Sequence, residues 1–106
     1  MSKYLIQGNY VGEGIKGLLK EGGSSRRAAT EKLVSSLDGR MEALYYAFGE
    51  TDIFIIVDMP DNASMTALAL VAGASGAVTV KTTVLMTPEE VDEAAKKSPH
   101  YRPPGQ

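Results

Sequence analysis

The segment YYAFGETDIFIIVDMPD, residues 45–61, decides the predicted fold. It contains two apolar runs rich in β-branched and aromatic residues, separated by the polar break at 49–52. This pattern is typical of two antiparallel strands joined by a hairpin turn. Neither run alternates apolar with polar residues, although a sheet with one face in water normally shows that alternation. We therefore predict that both faces of this part of the sheet are covered.

Further strands and helices are predicted on both sides of the hairpin. Strand-like runs lie at 4–10 and 77–86, and helical patterns lie at 24–38 and 61–76. The order β, α, β, β, α, β predicts an α+β, ferredoxin-like fold, in which helices cover one face of a four-stranded antiparallel sheet. A second subunit that lays its sheet against this one is the simplest cover for the other face. We expect a dimeric α+β barrel-like assembly, or a higher homo-oligomer.

The helix predicted over 24–38 has recognisable ends. Ser24 or Ser25 is expected to cap its first N–H groups, and Gly39 to take the left-handed conformation after its end. The preceding segment, 14–23, is flanked by glycines, so we expect a turn or one or two helical turns there. The apolar stripe that should face the sheet comprises Ala29, Leu33, Val34 and Leu37.

Two more helix starts are expected. Asp61 or Asn62 should cap the helix that follows the third strand. Thr87 and Glu90 have the spacing of a capping box around Pro88, which favours a first helical turn, so a short terminal helix is expected there. Its apolar side should consist of Val91, Ala94 and Ala95.

Composition restricts the classes of function. The chain has 106 residues, which favours one domain over 1–97, with a Pro-rich C-terminal tail over 98–106. The formal net charge of -2 disfavours nucleic acid and anionic membranes as partners. The chain has no cysteine, which excludes disulfides and thiolate metal sites and is consistent with a cytoplasmic protein.

Five segments together resemble the GYD-domain family, whose bacterial members have similar tails: YYAFGETD (45–52), IIVDMPD (55–61), ALAL (67–70), VTVKTTVLMTPEE (78–90) and YRPPG (101–105). The resemblance implies small proteins similar to the dimeric α+β barrels built from two ferredoxin-like sheets. The family is named for Gly-Tyr-Asp in the hairpin turn. Here Gly49 and Asp52 match that pattern, and Thr51 stands in place of the Tyr. The resemblance implies no particular reaction.

A polar patch is expected on the second face of the sheet. It occupies odd positions of the first and fourth strands, which are neighbours in this fold: Gln7, Asn9, Thr79, Lys81 and Thr83. Beside Tyr45 or Tyr46, inside a barrel of two sheets, this patch is a candidate pocket for a small ligand. Lys81 would provide positive charge for an acidic or phenolic compound. The alternative is that the same groups form a polar edge of the subunit interface.

Two further patterns have both a functional and a structural explanation. Residues 12–17 form a literal GxGxxG, the fingerprint of dinucleotide sites, but the glycines at 22–23 and the hairpin context favour a flexible entry into the first helix. His100 is the single histidine and is a candidate general base or a metal or haem ligand. Its Pro-rich surroundings favour a surface position, where Tyr101 and Arg102 could anchor the tail to a neighbouring subunit.

No arrangement of acid, base and nucleophile is evident. The first functional hypothesis is therefore a homo-oligomeric protein that binds a small ligand or serves assembly, with no cofactor and no metal. The alternative is a cofactor-free isomerase or monooxygenase-like enzyme that acts on a small aromatic or carbonyl compound in the barrel cavity. Proton transfer would then fall to Lys81, Tyr45 or Tyr46, and His100.

Overall fold

Four antiparallel strands form the sheet. The computed structural model describes residues 1–106, and its strands are β1 (Ser2–Tyr10), β2 (Arg40–Tyr46), β3 (Ile53–Met59) and β4 (Val78–Leu85). They lie in the order β2-β3-β1-β4, and every neighbouring pair is antiparallel. This is the ferredoxin-like arrangement predicted from the sequence, with the hairpin β2–β3 at one side and β1 in the interior.

Three of the four helices connect strands, and the fourth follows the last strand. Their bounds are α1 (Glu13–Glu21), α2 (Gly23–Ser36), α3 (Asn62–Ala74) and α4 (Pro88–Ala95). The segment expected to hold a turn or one or two helical turns instead forms the nine-residue helix α1. Gly12 and Gly22 lie just outside its ends with φ values of 53° and 86°, so the glycines delimit the helix rather than break it.

One face of the sheet packs against the helices and forms the core. Along β3 the buried side chains alternate with half-buried ones, as the strand period requires. Each core side chain is at most 7% exposed, and burial of one contributes about 1.5–3 kcal/mol. The core comprises Tyr4, Ile6, Val34, Ile53, Ile55, Val57, Met59, Met65 and Leu68. In the predicted stripe of α2, Val34 is buried, Leu33 and Leu37 are half-buried, and Ala29 is exposed.

The two helix starts with a strong local signal are confirmed. Asp61 caps α3, where its carboxylate accepts a hydrogen bond of 2.8 Å from the Ser64 N–H. Thr87 and Glu90 form the complete capping box of α4: the Thr87 hydroxyl accepts from the Glu90 N–H, and the Glu90 carboxylate accepts from the Thr87 N–H. Both motifs satisfy N–H groups that the first helical turn leaves unpaired.

Both ends of α2 differ from the prediction. The helix begins one residue early, Gly22 is its N-cap, and neither Ser24 nor Ser25 caps it. At the other end Asp38, not Gly39, takes the left-handed conformation, with φ of 60°. Gly39 is required for another reason: a Cβ there would lie 2.9 Å from the Asp58 carbonyl oxygen and would also collide with the Met59 sulfur. The glycine therefore permits a close approach to β3 rather than a turn.

The C-terminal part of the chain extends away from the sheet and its helices. Every residue from 88 to 106 is exposed, and Val91, expected on the packed side of α4, is 52% exposed. The molecule measures 58 × 32 × 23 Å along its principal axes. We call residues 88–106 the C-terminal arm.

Candidate functional site

No helix covers the second face of the sheet, which we call the open face. Strand pairing aligns its residues into rows that run across all four strands. One row consists of Tyr45, Phe54, Gln7 and Lys81, since Tyr45 pairs with Phe54, Phe54 with Gln7, and Gln7 with Lys81. The register therefore brings an aromatic pair and an amide–cation pair into one line, and places Gln7 beside Lys81 as the odd-position pattern predicted.

The neighbouring row is mainly apolar. It consists of Ala43, Ile56, Leu5 and Thr83. Leu5, Ile56 and the adjacent Phe54 are only half-buried, because nothing in this chain lies over them. The face thus has an apolar centre on β3 and β1 and a more polar side on β4, where Thr79, Lys81 and Thr83 are all exposed.

A cluster of charged side chains lies at one end of the open face. Lys3 Nζ donates to Glu42 at 2.7 Å and to Asp58 at 3.0 Å, and Arg40 donates to the other Asp58 oxygen at 3.2 Å. The hydrogen bond from Lys3, followed by that from Arg40, lowers the pKa of Asp58. The hydrogen bonds to Glu42 and Asp58 raise the pKa of Lys3. This cluster links β1, β2 and β3, and its charged groups pair with one another.

The other end of the open face is held by the hairpin turn. The Asn9 side-chain oxygen accepts a hydrogen bond of 3.0 Å from the Asp52 N–H, and the Asp52 carboxylate accepts one of 3.0 Å from the Tyr10 N–H. The Gln7 amide nitrogen lies 3.5 Å from the Thr51 hydroxyl. The Asp52 carboxylate thus joins the turn to β1, and the oxygen of Asn9 already has a structural partner, which the sequence pattern did not show.

Comparison with protein-family models gives one match, to the GYD domain, over residues 4–95. The match includes all four strands, with β1 from residue 4 onward, and all four helices. The chain belongs to the GYD-domain family. Neither the curated proteins nor the solved structures include a match to it. The comparisons therefore identify the family of the chain and not its function. A function for this GYD-domain chain must be argued from its own side chains.

Tyr45 and Tyr46 lie on opposite faces of the GYD-domain sheet. Tyr45 projects from the open face and is 71% exposed, whereas Tyr46 pairs with Ile53 on the helix face and donates to the Gly23 carbonyl at 3.0 Å. Tyr46 is therefore not beside Gln7 and Lys81. Tyr45 and Lys81 lie on the two outer strands, about 14 Å apart, or three strand spacings of about 4.8 Å. The two side chains therefore start from opposite edges of the open face.

His100 lies apart from the other predicted site residues. It is exposed in the C-terminal arm, beyond the end of α4. The fold of the GYD-domain chain thus brings Gln7, Lys81, Thr83 and Tyr45 to the open face, with Asn9 at its end, and leaves Tyr46 and His100 elsewhere. No helix in the structure combines the length and apolar character that crossing a bilayer requires.

Proposed function

We propose that this GYD-domain protein works as a homodimer in which two open faces pack together and hold a small ligand between them. The observation that supports this most directly is the mixed character of the open face: an apolar centre next to an unpaired cation. The apolar part favours a second protein surface, and the polar part favours a ligand with groups that can satisfy it.

The apolar centre favours association. Leu5, Phe54 and Ile56 lie side by side on the two inner strands and remain half-exposed in the single chain. Burial of each large apolar side chain contributes about 1.5–3 kcal/mol. A second copy presents the same patch, and sheets pack face to face at about 10 Å, which suits an isologous contact.

The polar side of the open face favours a ligand. Lys81 has no carboxylate partner among the ion pairs of the chain, and its neighbours in the register are Gln7 and, along β4, Thr79 and Thr83. A paired apolar surface would leave these donors and the ammonium group without partners, which is costly. A small acidic or phenolic compound between the subunits would satisfy them.

Sedimentation tests the dimer. The protein at micromolar concentration should sediment as a dimer, and Ile56→Lys should sediment as a single chain with native circular dichroism, because the lysine places a charge at the centre of the contact. Leu19→Lys is the matched control, since Leu19 is 86% exposed on α1 and its replacement should leave the dimer intact. A wild-type protein that sediments as a monomer would overturn the proposal.

Native mass spectrometry tests the ligand. Protein purified from its source should retain a small compound in proportion to dimer, and Lys81→Ala should lose that compound while the dimer remains. If the dimer carries no additional mass, its interface is packed solid and the protein serves assembly rather than ligand binding.

A further inference from the structure

A cavity of 370 Å³ lies on the other side of the sheet, between the helix face and helices α1, α2 and α3. Its floor comprises residues of the three strands β1, β3 and β4, including Ile6, Ile55 and Val80, and Leu68 of α3 forms part of one wall. Pockets for small molecules typically occupy about 300–1,000 Å³ and are mostly apolar. This cavity lies wholly within one chain and shares none of the open-face residues.

The inward side of α1 explains why the cavity exists. The α1 residues that line it include Gly14, Gly17, Leu18 and Glu21, which recur at the spacing of a single helix face. At Gly14 the helix lies against the Ala77 carbonyl group, and a Cβ there would collide with it. At Gly17, one turn later, a Cβ would meet no atom within 4 Å. The helix is thus held close to β4 at Gly14, and room for a ligand remains beside Gly17.

The polar groups of the cavity favour a neutral ligand. Twelve of the 20 lining residues are hydrophobic. Among the others, Glu13 and Glu21 bring two carboxylates and Arg26 one cation, and Arg26 is 3.8 Å from Glu21. An anionic ligand would meet more negative than positive charge there. Tyr10 also lines the cavity, and burial, followed by nearby Tyr46, raises the pKa of its phenol, so it is neutral at neutral pH.

We propose that this cavity binds an uncharged, mainly apolar compound of one to three rings, or an equivalent hydrocarbon chain, with its body against Ile6, Val80 and Leu68. The site is independent of the open face, and it assigns a role to the GxGxxG segment: Gly14 permits the close approach of α1 to Ala77, and Gly17 leaves space for a ligand rather than for a pyrophosphate. The proposal does not depend on the homodimer.

Fluorescence titration with phenylnaphthylamine, a neutral probe, tests the site. The wild-type protein should bind the probe saturably, with one molecule per chain. Gly17→Leu should weaken binding by about tenfold or more, because the new side chain fills the cavity. Gly73→Leu is the matched control: Gly73 is also a helical glycine with no atom within 4 Å of its added Cβ, but it does not line the cavity, so binding should be unchanged.

Both variants replace a helical glycine and should be at least as stable as the wild type, which a thermal unfolding scan verifies. Anilinonaphthalene sulfonate, the charged analogue of the probe, should bind more weakly than phenylnaphthylamine. The proposal is overturned if the wild-type chain does not bind the neutral probe, if Gly17→Leu and Gly73→Leu bind it equally well, or if the sulfonate binds more tightly.

Discussion

The environment of Asp58 depends on contacts with residues far away in the sequence. It lies on β3, and its two carboxylate oxygens accept hydrogen bonds from Lys3 of β1 and Arg40 of β2. Its side chain is only 14% exposed, so these charge-assisted contacts are partly shielded from water. Arg40 reaches Asp58 because the register of β2 shifts between Met41 and Ala43, which returns Arg40 to the open face.

The stability of the protein should depend on pH through Asp58. Its pKa in the folded chain lies below the ordinary value of 3.8, so its contribution is present above that value and is lost as pH falls through the lowered pKa. Asp58→Asn should therefore lower the free energy of unfolding at neutral pH, and the difference from wild type should shrink below about pH 4. Urea denaturation across this range measures the effect.

Asp92→Asn, on exposed α4, is the control and should leave the curve unchanged. If Asp58→Asn differed from wild type by the same amount at every pH, the ion pairs of Asp58 would not be the source of its stabilisation.

At the scale of elements, the helices fall into two groups, because side chains determine the starts of α3 and α4 and a glycine determines the junction of α1 and α2. The starts of α3 and α4 are determined by side chains that bond N–H groups three residues later. The junction of α1 and α2 depends on Gly22, which ends one helix and begins the next with φ of 86°. Helices α2 and α3 contribute buried side chains to the core, whereas α4 is exposed along its whole length.

Removal of the α4 cap should therefore have only a local effect. Thr87→Ala should cost about 1 kcal/mol of helix stability and increase hydrogen exchange of the amides of α4, because the capping box is lost. The thermal unfolding midpoint should remain that of the wild type. Asp61→Ala is the informative comparison, since α3 carries the buried Met65 and Leu68 and the midpoint should fall. Equal losses in both variants would show that α4 packs against the body of the protein.

At the scale of the whole molecule, the chain is more extended than its length requires. Its radius of gyration is 17.0 Å, whereas a compact domain of about 100 residues has about 13 Å. The C-terminal arm accounts for this difference, since it is exposed throughout and continues beyond the last strand. An arm in which every residue is exposed contributes little to the stability of the chain.

Deletion of residues 88–106 should leave the unfolding midpoint of the Ile56→Lys monomer unchanged, because no buried contact is removed. A lower midpoint in calorimetry would contradict the extended arm. The same deletion in the wild-type background also tests the predicted anchoring by Tyr101 and Arg102. Weaker self-association without the arm would place it at the subunit interface.

The family match and the fold class agree with what the sequence predicted, and the reasons are local. Alternation along β3 assigns Ile53, Ile55 and Val57 to one face and Phe54 to the other, because successive side chains of a strand point in opposite directions. The Thr87 capping box joins groups three residues apart. Such patterns depend only on residues that are close in the sequence, so the amino-acid sequence is sufficient to recognise them.

The remaining features required the tertiary structure. The odd-position pattern placed Gln7 and Lys81 together, but only the register shows that Tyr46 faces the helices and that Tyr45 lies three strands from Lys81. Likewise, the sequence around Gly14 and Gly17 indicates only a nucleotide motif or a flexible entry into the helix. The structure shows that Gly14 permits a contact with Ala77 and that Gly17 leaves a space. The sequence by itself determined the strands and the capped starts of α3 and α4. Which distant residues meet is decided by packing, because contacts and cavities depend on the positions of segments far apart in the chain.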